Sequence, residues 1–203
     1  MALEELQLNG ENEGNRHASF YGSLLETMPE LLATGRFPAS IAYGMKRRLH
    51  APAEVIPAWR NHYIFTGDGA VHDGRGNAKV VLDAALLREI NQNTRLDNYD
   101  AVLSPEQWEE LRGDDVLYLS ADKVDEQIQG KGFVKKNGVW QPENTVVGDV
   151  WNHLSRGKDL KDYAEMVHQA SGNDRVMWLW FGSNAYALPV MRSLVVDGVG
   201  NSS

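Results

Sequence analysis

Apolar residues recur at helical spacing in several stretches of the chain. From Phe20 to Leu32 they keep to one face for more than three turns, with Pro29 inside the pattern and Gly35 after it. This spacing predicts an amphipathic helix that Pro29 kinks or restarts and that Gly35 ends. Further helices are predicted from Pro38, after an N-cap at Asp83, and over residues 146–154 and 160–170.

The clearest local signal for a helix begins at Ser104. Ser104 suits the N-cap, Pro105 suits the first helical position, and Gln107 stands where its side chain reaches back to the cap. Leu103 and Trp108 occupy the positions of a hydrophobic staple. The sequence therefore predicts a short helix from Pro105 to Leu111.

Short apolar runs bounded by turn residues predict the strands. His62–Thr66 and Lys79–Leu82 flank a connection rich in glycine and aspartate, and Val116–Leu119 forms another run. Asn137-Gly138 is the favoured pair for a type I′ hairpin turn, and the six apolar residues Val176–Phe181 are typical of a strand buried on both faces. These elements predict an α+β fold, a small mixed β-sheet with helices packed mainly on one side.

The ends of the chain differ in composition from its middle. Residues 1–16 carry four acids and no base before Arg16, which predicts a mobile acidic arm. We expect residues 17–197 to form a single domain and residues 198–203 to be a frayed tail. A chain of 203 residues is long enough to bury a core without disulfides or metal ions.

The formal charge of −8 is concentrated in residues 97–126, which we call the acidic segment. Ten of the 28 acids lie there against Arg112 and Lys123 alone, so the rest of the chain holds 18 acids and 18 bases. This concentration opposes nucleic-acid binding and suits a cationic protein partner or a divalent cation. The candidate partner-binding residues are Asp97, Asp100, Glu109, Glu110, Asp114 and Asp115.

Two simpler interpretations of the acidic segment stay open. It can be a solvated face that contributes only to solubility. It can also pair with the basic hairpin around Asn137, which contains Lys131, Lys135 and Lys136.

The chain contains no cysteine. This composition excludes a disulfide framework, a cysteine nucleophile and thiolate metal ligands, and it favours the cytoplasm. The acidic start lacks the pattern of a signal peptide, and the longest apolar run is too short to span a membrane.

The connection between the two central strands is the first candidate for chemistry. Its oxygen-bearing and imidazole side chains suit a divalent cation, and the predicted ligands are Asp68, His72, Asp73 and Asp83. The spacing does not match the twelve-residue calcium loop. The alternative is a hairpin turn in which Asp and Asn bond their own backbone.

Motifs of the major catalytic and nucleotide-binding classes are absent from the sequence. It contains no HExxH, no G-x-S-x-G and no GK[ST], and no two histidines are spaced i, i+4. We therefore expect a non-enzymatic interaction or assembly protein, a subunit of a larger complex. The alternative is a metal-dependent hydrolase in which water bound to a cation at the glycine-rich loop, residues 67–77, is the nucleophile.

Overall fold

The computed structural model describes much of the chain between Glu4 and Arg192. The described residues are 4–6, 17–19, 24–35, 37–43, 49, 65–97, 100–130, 132–158, 161–162, 165, 175–177, 187–188 and 190–192.

Helices and short strands are interspersed along this part of the chain. The strands are β1 (Glu4–Leu6), β2 (His17–Ser19), β3 (Phe65–His72), β4 (Ala78–Val81), β5 (Leu96–Asp97), β6 (Asp100–Val102), β7 (Val116–Leu119), β8 (Gly132–Lys136), β9 (Val139–Pro142), β10 (Arg175–Met177), β11 (Ala187–Leu188) and β12 (Val190–Arg192). The helices are α1 (Leu24–Ala33), α2 (Pro105–Glu110), α3 (Ala121–Gly130) and α4 (Thr145–Leu154), together with a 3₁₀ helix over Ala85–Glu89. This combination confirms the predicted α+β class.

The described strands form four small antiparallel sheets rather than one mixed sheet. Their strand orders are β1-β2, β10-β8-β9, β11-β6-β5 and β12-β3-β4-β7, and we call the last the central sheet. Three of the four sheets contain a hairpin of consecutive strands, and a short hairpin connection enforces antiparallel pairing.

The central sheet has a hydrophobic cluster on each face. Ala70, Val80 and Leu119 belong to one cluster, which α3 and α4 complete with Val124, Val147, Val150 and Leu154. Val71 and Val81 belong to the other, which α1, the 3₁₀ helix and α2 complete with Met28, Leu87 and Trp108. Helices therefore cover both faces, where the sequence predicted mainly one, because β3 and β4 carry apolar residues on both sides.

The β3–β4 hairpin confirms the predicted pair of central strands but not their limits. The predicted connection began at Gly67, whereas β3 continues to His72 and the turn occupies residues 73–77. Gly69 pairs with Val81 of β4 and with Val190 of β12. Pairing on both sides keeps this glycine-containing stretch extended against its low strand propensity. Residues 62–64 lie outside the described part.

α1 agrees with the apolar pattern that predicted it. It runs as one element from Leu24 to Ala33 with Pro29 inside. Gly35 follows with φ of 73°, and its N–H donates to the carbonyl of Leu32 at 2.9 Å. The predicted glycine stop is confirmed, since a left-handed residue here satisfies one of the last helical carbonyls.

Asp83 is not the helix cap that the sequence predicted. The 3₁₀ helix begins after Ala84, and no side chain caps it. Asp83 instead has φ of 50° and directs its carboxylate toward Arg88 and Arg156. These two cations compete with the helix terminus for the carboxylate, and the backbone conformation turns Asp83 away from the cap position.

α2 has the capping box that the sequence predicted. The N–H of Gln107 donates to Ser104 Oγ at 3.2 Å, and the N–H of Ser104 donates to Gln107 Oε1 at 2.8 Å. Leu103 and Trp108, the staple residues, are both buried in the same hydrophobic cluster. The helix ends at Glu110.

The second half of the described chain contains three confirmed elements and one that was missed. β7 has the predicted bounds, α4 covers the predicted face, and Asn137 and Gly138 have φ of 52° and 78°, as a type I′ turn requires. α3 was not predicted. Its buried residues Val124 and Gln127 are three apart, which is helical spacing, but the acidic residues around them obscured the pattern.

Several predictions concern residues outside the described part. They include most of the predicted strand Val176–Phe181 and the predicted tail. Within the predicted N-terminal arm, β1 pairs with β2, and the mobility of the arm stays a prediction. None of the helices among the described residues is long and apolar enough to cross a membrane.

Candidate functional site

The turn that closes the β3–β4 hairpin is organised by Asp73. One carboxylate oxygen accepts the backbone N–H groups of Arg75 and Asn77 at 2.8 and 3.1 Å, and the other accepts the Asn77 side chain at 2.6 Å. Burial opposes ionisation of Asp73, but these hydrogen bonds outweigh it and lower the pKa of the carboxyl. The same Asn77 also accepts the N–H of Ala121 at 3.0 Å and so ties the turn to α3. Asp73 therefore has the role of a turn residue.

Asp68 is a buried residue whose side chain connects three segments of the chain. It is fully buried in the middle of β3, and its two oxygens accept the N–H groups of Ile41 at 2.7 Å and Asp83 at 3.0 Å. Burial raises the pKa of Asp68, and the two backbone hydrogen bonds and the charge of Arg156 offset only part of that rise. Both oxygens already have partners within the fold.

Gly67, which precedes Asp68, has no room for a side chain. A Cβ on Gly67 would lie 2.8 Å from the carbonyl oxygen of Pro38. The Gly67 N–H donates to Ala39 at 2.9 Å, and its carbonyl accepts from Ala84 at 2.7 Å. The glycine is therefore required by close backbone approach, which is a structural role.

His72 lies at the other end of β3. It is 4% exposed and pairs in register with Ala78. Burial lowers the pKa of His72 to about 4, and the nearby charge of Asp73 offsets that effect only in part. The imidazole is therefore neutral at neutral pH.

The structure brings the four predicted metal ligands together as two separate pairs. Asp68 and Asp83 are joined by a hydrogen bond, and His72 and Asp73 are adjacent in sequence. Asp68 and His72 are four residues apart on an extended strand, which corresponds to about 13 Å. Among the described residues, no three His, Asp or Glu side chains are grouped so that they could hold a metal ion. This arrangement supports the hairpin-turn interpretation, and the metal site stays a prediction.

The acidic segment passes through one small sheet, two helices and β7. Asp97 and Asp100 are register partners at the turn between β5 and β6. Glu109 and Glu110 lie in the last turn of α2, and Asp114 and Asp115 lead into β7. The segment is therefore a folded part of the surface rather than a tail.

The described side chains of the acids in the acidic segment face solvent. There are eight of them, and all are exposed: Glu106, Glu109, Glu110, Asp114, Asp115, Asp122, Asp125 and Glu126. Hydrogen bonds from Ser104 and Ser120 lower the pKa of Glu106 and Asp122, respectively, so both are ionised at neutral pH. The ion pairs that join one described residue to another involve Asp83 and Glu165, and none involves these eight.

The described lysines of the basic hairpin form no ion pair with the described acids of the acidic segment. Lys135 forms its ion pair with Glu165, with 2.8 Å between Nζ and Oε2, and the same oxygen accepts the indole N–H of Trp140. Lys136 is exposed and forms no ion pair with a described residue, and Lys131 lies outside the described part. The expectation that the two oppositely charged regions pair is therefore not met by the described lysines.

Two surface features near the acidic segment were not identified from the sequence. They are the exposed Tyr118 ring and the contact of Lys79 with Trp108. Tyr118 of β7 is 52% exposed, and Lys79 lies opposite it in β4. The Lys79 ammonium donates to the carbonyl of Trp108 at 2.6 Å and lies 4.4 Å from the centroid of the indole ring. Burial lowers the pKa of Lys79, although the charge of Glu109 opposes that effect. Strand alternation alone could have indicated which face Tyr118 occupies, but not its exposure.

Comparisons with protein-family models, with curated proteins and with solved structures give no match to this chain.

Proposed function

We propose that this protein is a non-enzymatic interaction or assembly subunit whose acidic segment engages a cationic surface of a protein partner. One observation carries the proposal. The eight described carboxylates of the segment are exposed, and none forms an ion pair with another described residue.

Exposed carboxylates that form no ion pair with a described residue favour a cationic partner for two reasons. Their summed field attracts positive charge over a distance comparable to the Debye length, about 8 Å at physiological salt, and this speeds encounter. Their mutual repulsion also weakens when lysine or arginine side chains of a partner lie between them. Nucleic acids, which are polyanions, are repelled by the same field.

The direct test is a matched pair of charge-neutralised variants. The first replaces four acids of the segment, Glu109→Gln, Glu110→Gln, Asp114→Asn and Asp115→Asn. The control replaces four exposed acids elsewhere, Glu30→Gln, Glu89→Gln, Asp149→Asn and Asp162→Asn. Both sets change the net charge by the same amount, so any difference between them reports position rather than total charge.

Each protein is immobilised and incubated with extract of the cells that produce it, at about 0.05 M and about 0.5 M salt. We expect wild type and control to retain the same basic proteins at low salt, and the four-acid variant to lose them. High salt should release them from wild type and from the control. Retention of identical proteins by the four-acid variant, or retention of none by wild type, would contradict the proposal.

The alternative, a metal-dependent hydrolase, is distinguished by thermal unfolding. Chelator-treated protein is unfolded with calcium, magnesium, manganese or zinc added singly, since a ligand that binds the native state raises the midpoint. The interaction proposal predicts no rise that depends on Asp73. A rise for one cation that disappears in Asp73→Ala would favour the hydrolase.

A further inference from the structure

β7 forms one edge of the central sheet. The strand order β12-β3-β4-β7 leaves it bonded to β4 on one side only. No other strand among the described residues pairs with its second side. An open strand edge presents unpaired backbone N–H and C=O groups, to which an extended segment can bind.

The register identifies which backbone groups are available. Leu82 donates its N–H to the carbonyl of Asp115 at 2.8 Å, so Asp115, Leu117 and Leu119 direct their backbone groups toward β4. Val116 and Tyr118 therefore direct theirs away. The Val116 N–H is used within the chain, by the carbonyl of Gly113 at 3.1 Å. Within the described part of the chain, the Tyr118 N–H, the Tyr118 C=O and the Val116 C=O have no strand partner, so they remain for a new strand.

The side chains of the edge supply an apolar contact. Tyr118 is 52% exposed and is one of four large hydrophobic side chains that are exposed among the described residues. It stands opposite Lys79, which is held against Trp108 of α2. A strand added at this edge would place a side chain beside the phenol ring, and aromatic cross-strand contacts stabilise strand pairing.

The charges around the edge decide which kind of segment fits. Asp114 and Asp115 precede β7, Asp122 follows it, and Glu109 lies close enough to Lys79 to influence its pKa. A second copy of this chain paired edge to edge would bring carboxylates against carboxylates, which is unfavourable. A segment with lysine or arginine on both sides of a short apolar centre would place each cation near a carboxylate.

We propose that the free edge of β7 binds an extended basic segment of a protein partner, which adds a strand beside Tyr118. This inference rests on the proposed function and names the kind of partner segment that the acidic surface accepts. The carboxylates attract the segment and set its position, and the backbone groups of Tyr118 hold it.

The test uses a library of acetylated, amidated ten-residue peptides with lysine or arginine at both ends and strand-forming residues between. Binding is followed by amide chemical shifts of the protein at about 0.05 M salt. The strongest binder is compared with the same peptide N-methylated at alternate residues, which keeps its charge but removes the N–H groups that a strand would donate.

Two protein variants separate the backbone from the side chain at the edge. Tyr118→Pro removes the outward N–H, which β4 does not use, and Tyr118→Thr keeps it while removing the ring. We expect shifts concentrated on β7 and a loss of affinity of about fivefold or more for Tyr118→Pro and for the N-methylated peptide. Asp114→Asn with Asp115→Asn should weaken binding at low salt only.

Equal affinity for the N-methylated peptide, shifts confined to other elements, or no binding by any library member overturns the inference. If Tyr118→Pro fails to fold, the N-methylated peptide on wild-type protein makes the same test. The capture assay separates this inference from the proposed function. Partners kept by Tyr118→Pro but lost by the four-acid variant would overturn the strand at β7 and leave the acidic interface standing.

Discussion

Asp68 shows how the same residue type serves two purposes in one hairpin. Asp73 is a surface turn residue, whereas Asp68 is a buried carboxylate that joins β3 to Ile41 and Asp83. The sequence placed both among the metal candidates because it shows residue type and spacing but not which atoms already have partners. The local chemistry of Asp73 was predictable from Asp and Gly in a turn. The contact to Ile41, 27 positions earlier, was not.

Replacing Asp68 by asparagine should destabilise the fold at neutral pH. The carboxylate accepts two backbone N–H groups, whereas an amide offers one oxygen and directs its own N–H₂ at the other donor. A buried donor left without an acceptor costs about 1–3 kcal/mol, and we expect Asp68→Asn to lower the free energy of unfolding by that amount. Urea denaturation measures it. Asp149→Asn, on the exposed face of α4, should change stability by less than about 0.5 kcal/mol.

His72 should make stability depend on pH. Its pKa is about 4 in the fold against an ordinary value of 6.5, because burial disfavours the cation. A lowered pKa means that the unfolded chain binds the proton first, so this contribution is complete above pH 6.5 and is lost as pH falls toward 4.

The variant His72→Gln removes this titration. We expect its loss of unfolding free energy between pH 7 and pH 4 to be smaller than that of wild type by an amount on the order of 3 kcal/mol. Denaturant unfolding at both pH values gives the comparison, and the difference is insensitive to any general effect of the substitution. Parallel losses in the two proteins would contradict the buried, neutral imidazole.

At the scale of elements, local signals were predictive where they involve neighbouring residues only. The capping box of α2 and the Asn137-Gly138 turn were both recognisable because their geometry is determined within a few positions. The limits of β3 were not recognisable from the sequence, because its glycines are held extended by β4 and β12, which lie elsewhere in the chain. α3 was missed because its buried residues include Gln127 and Gly130 and are interspersed with exposed acids, so that no apolar stripe is visible.

The capping box should contribute measurably to stability. Ser104→Ala and Gln107→Ala should each lower the free energy of unfolding by about 0.5–2 kcal/mol, because each removes an acceptor for a backbone N–H. The double variant should lower the free energy of unfolding by less than the sum of the two single effects, because both residues support the same helix end. Urea denaturation of the four proteins measures the coupling. Strict additivity would show that Ser104 and Gln107 act independently.

At the scale of the whole molecule, the α+β class followed from the patterns, but the two-sided central sheet did not. Periodicity indicates that a strand such as β4 is buried, and it does not show what covers each face. The position of the net charge was also readable from sequence. Whether these charges are exposed or ion-paired was not readable from sequence, because ion pairing between distant residues such as Lys135 and Glu165 depends on the tertiary fold.

The central claim is that the acidic segment joins this chain to a partner. The most direct measurement is the apparent mass of the protein in extract of the cells that produce it, determined by size-exclusion chromatography at about 0.05 M salt. We expect wild type and the control variant in extract to elute at an apparent mass far above the 22.7 kDa of the chain, and the four-acid variant to elute at the position of the purified protein. Elution of wild type with the purified protein, or of the four-acid variant with wild type, would contradict the central claim.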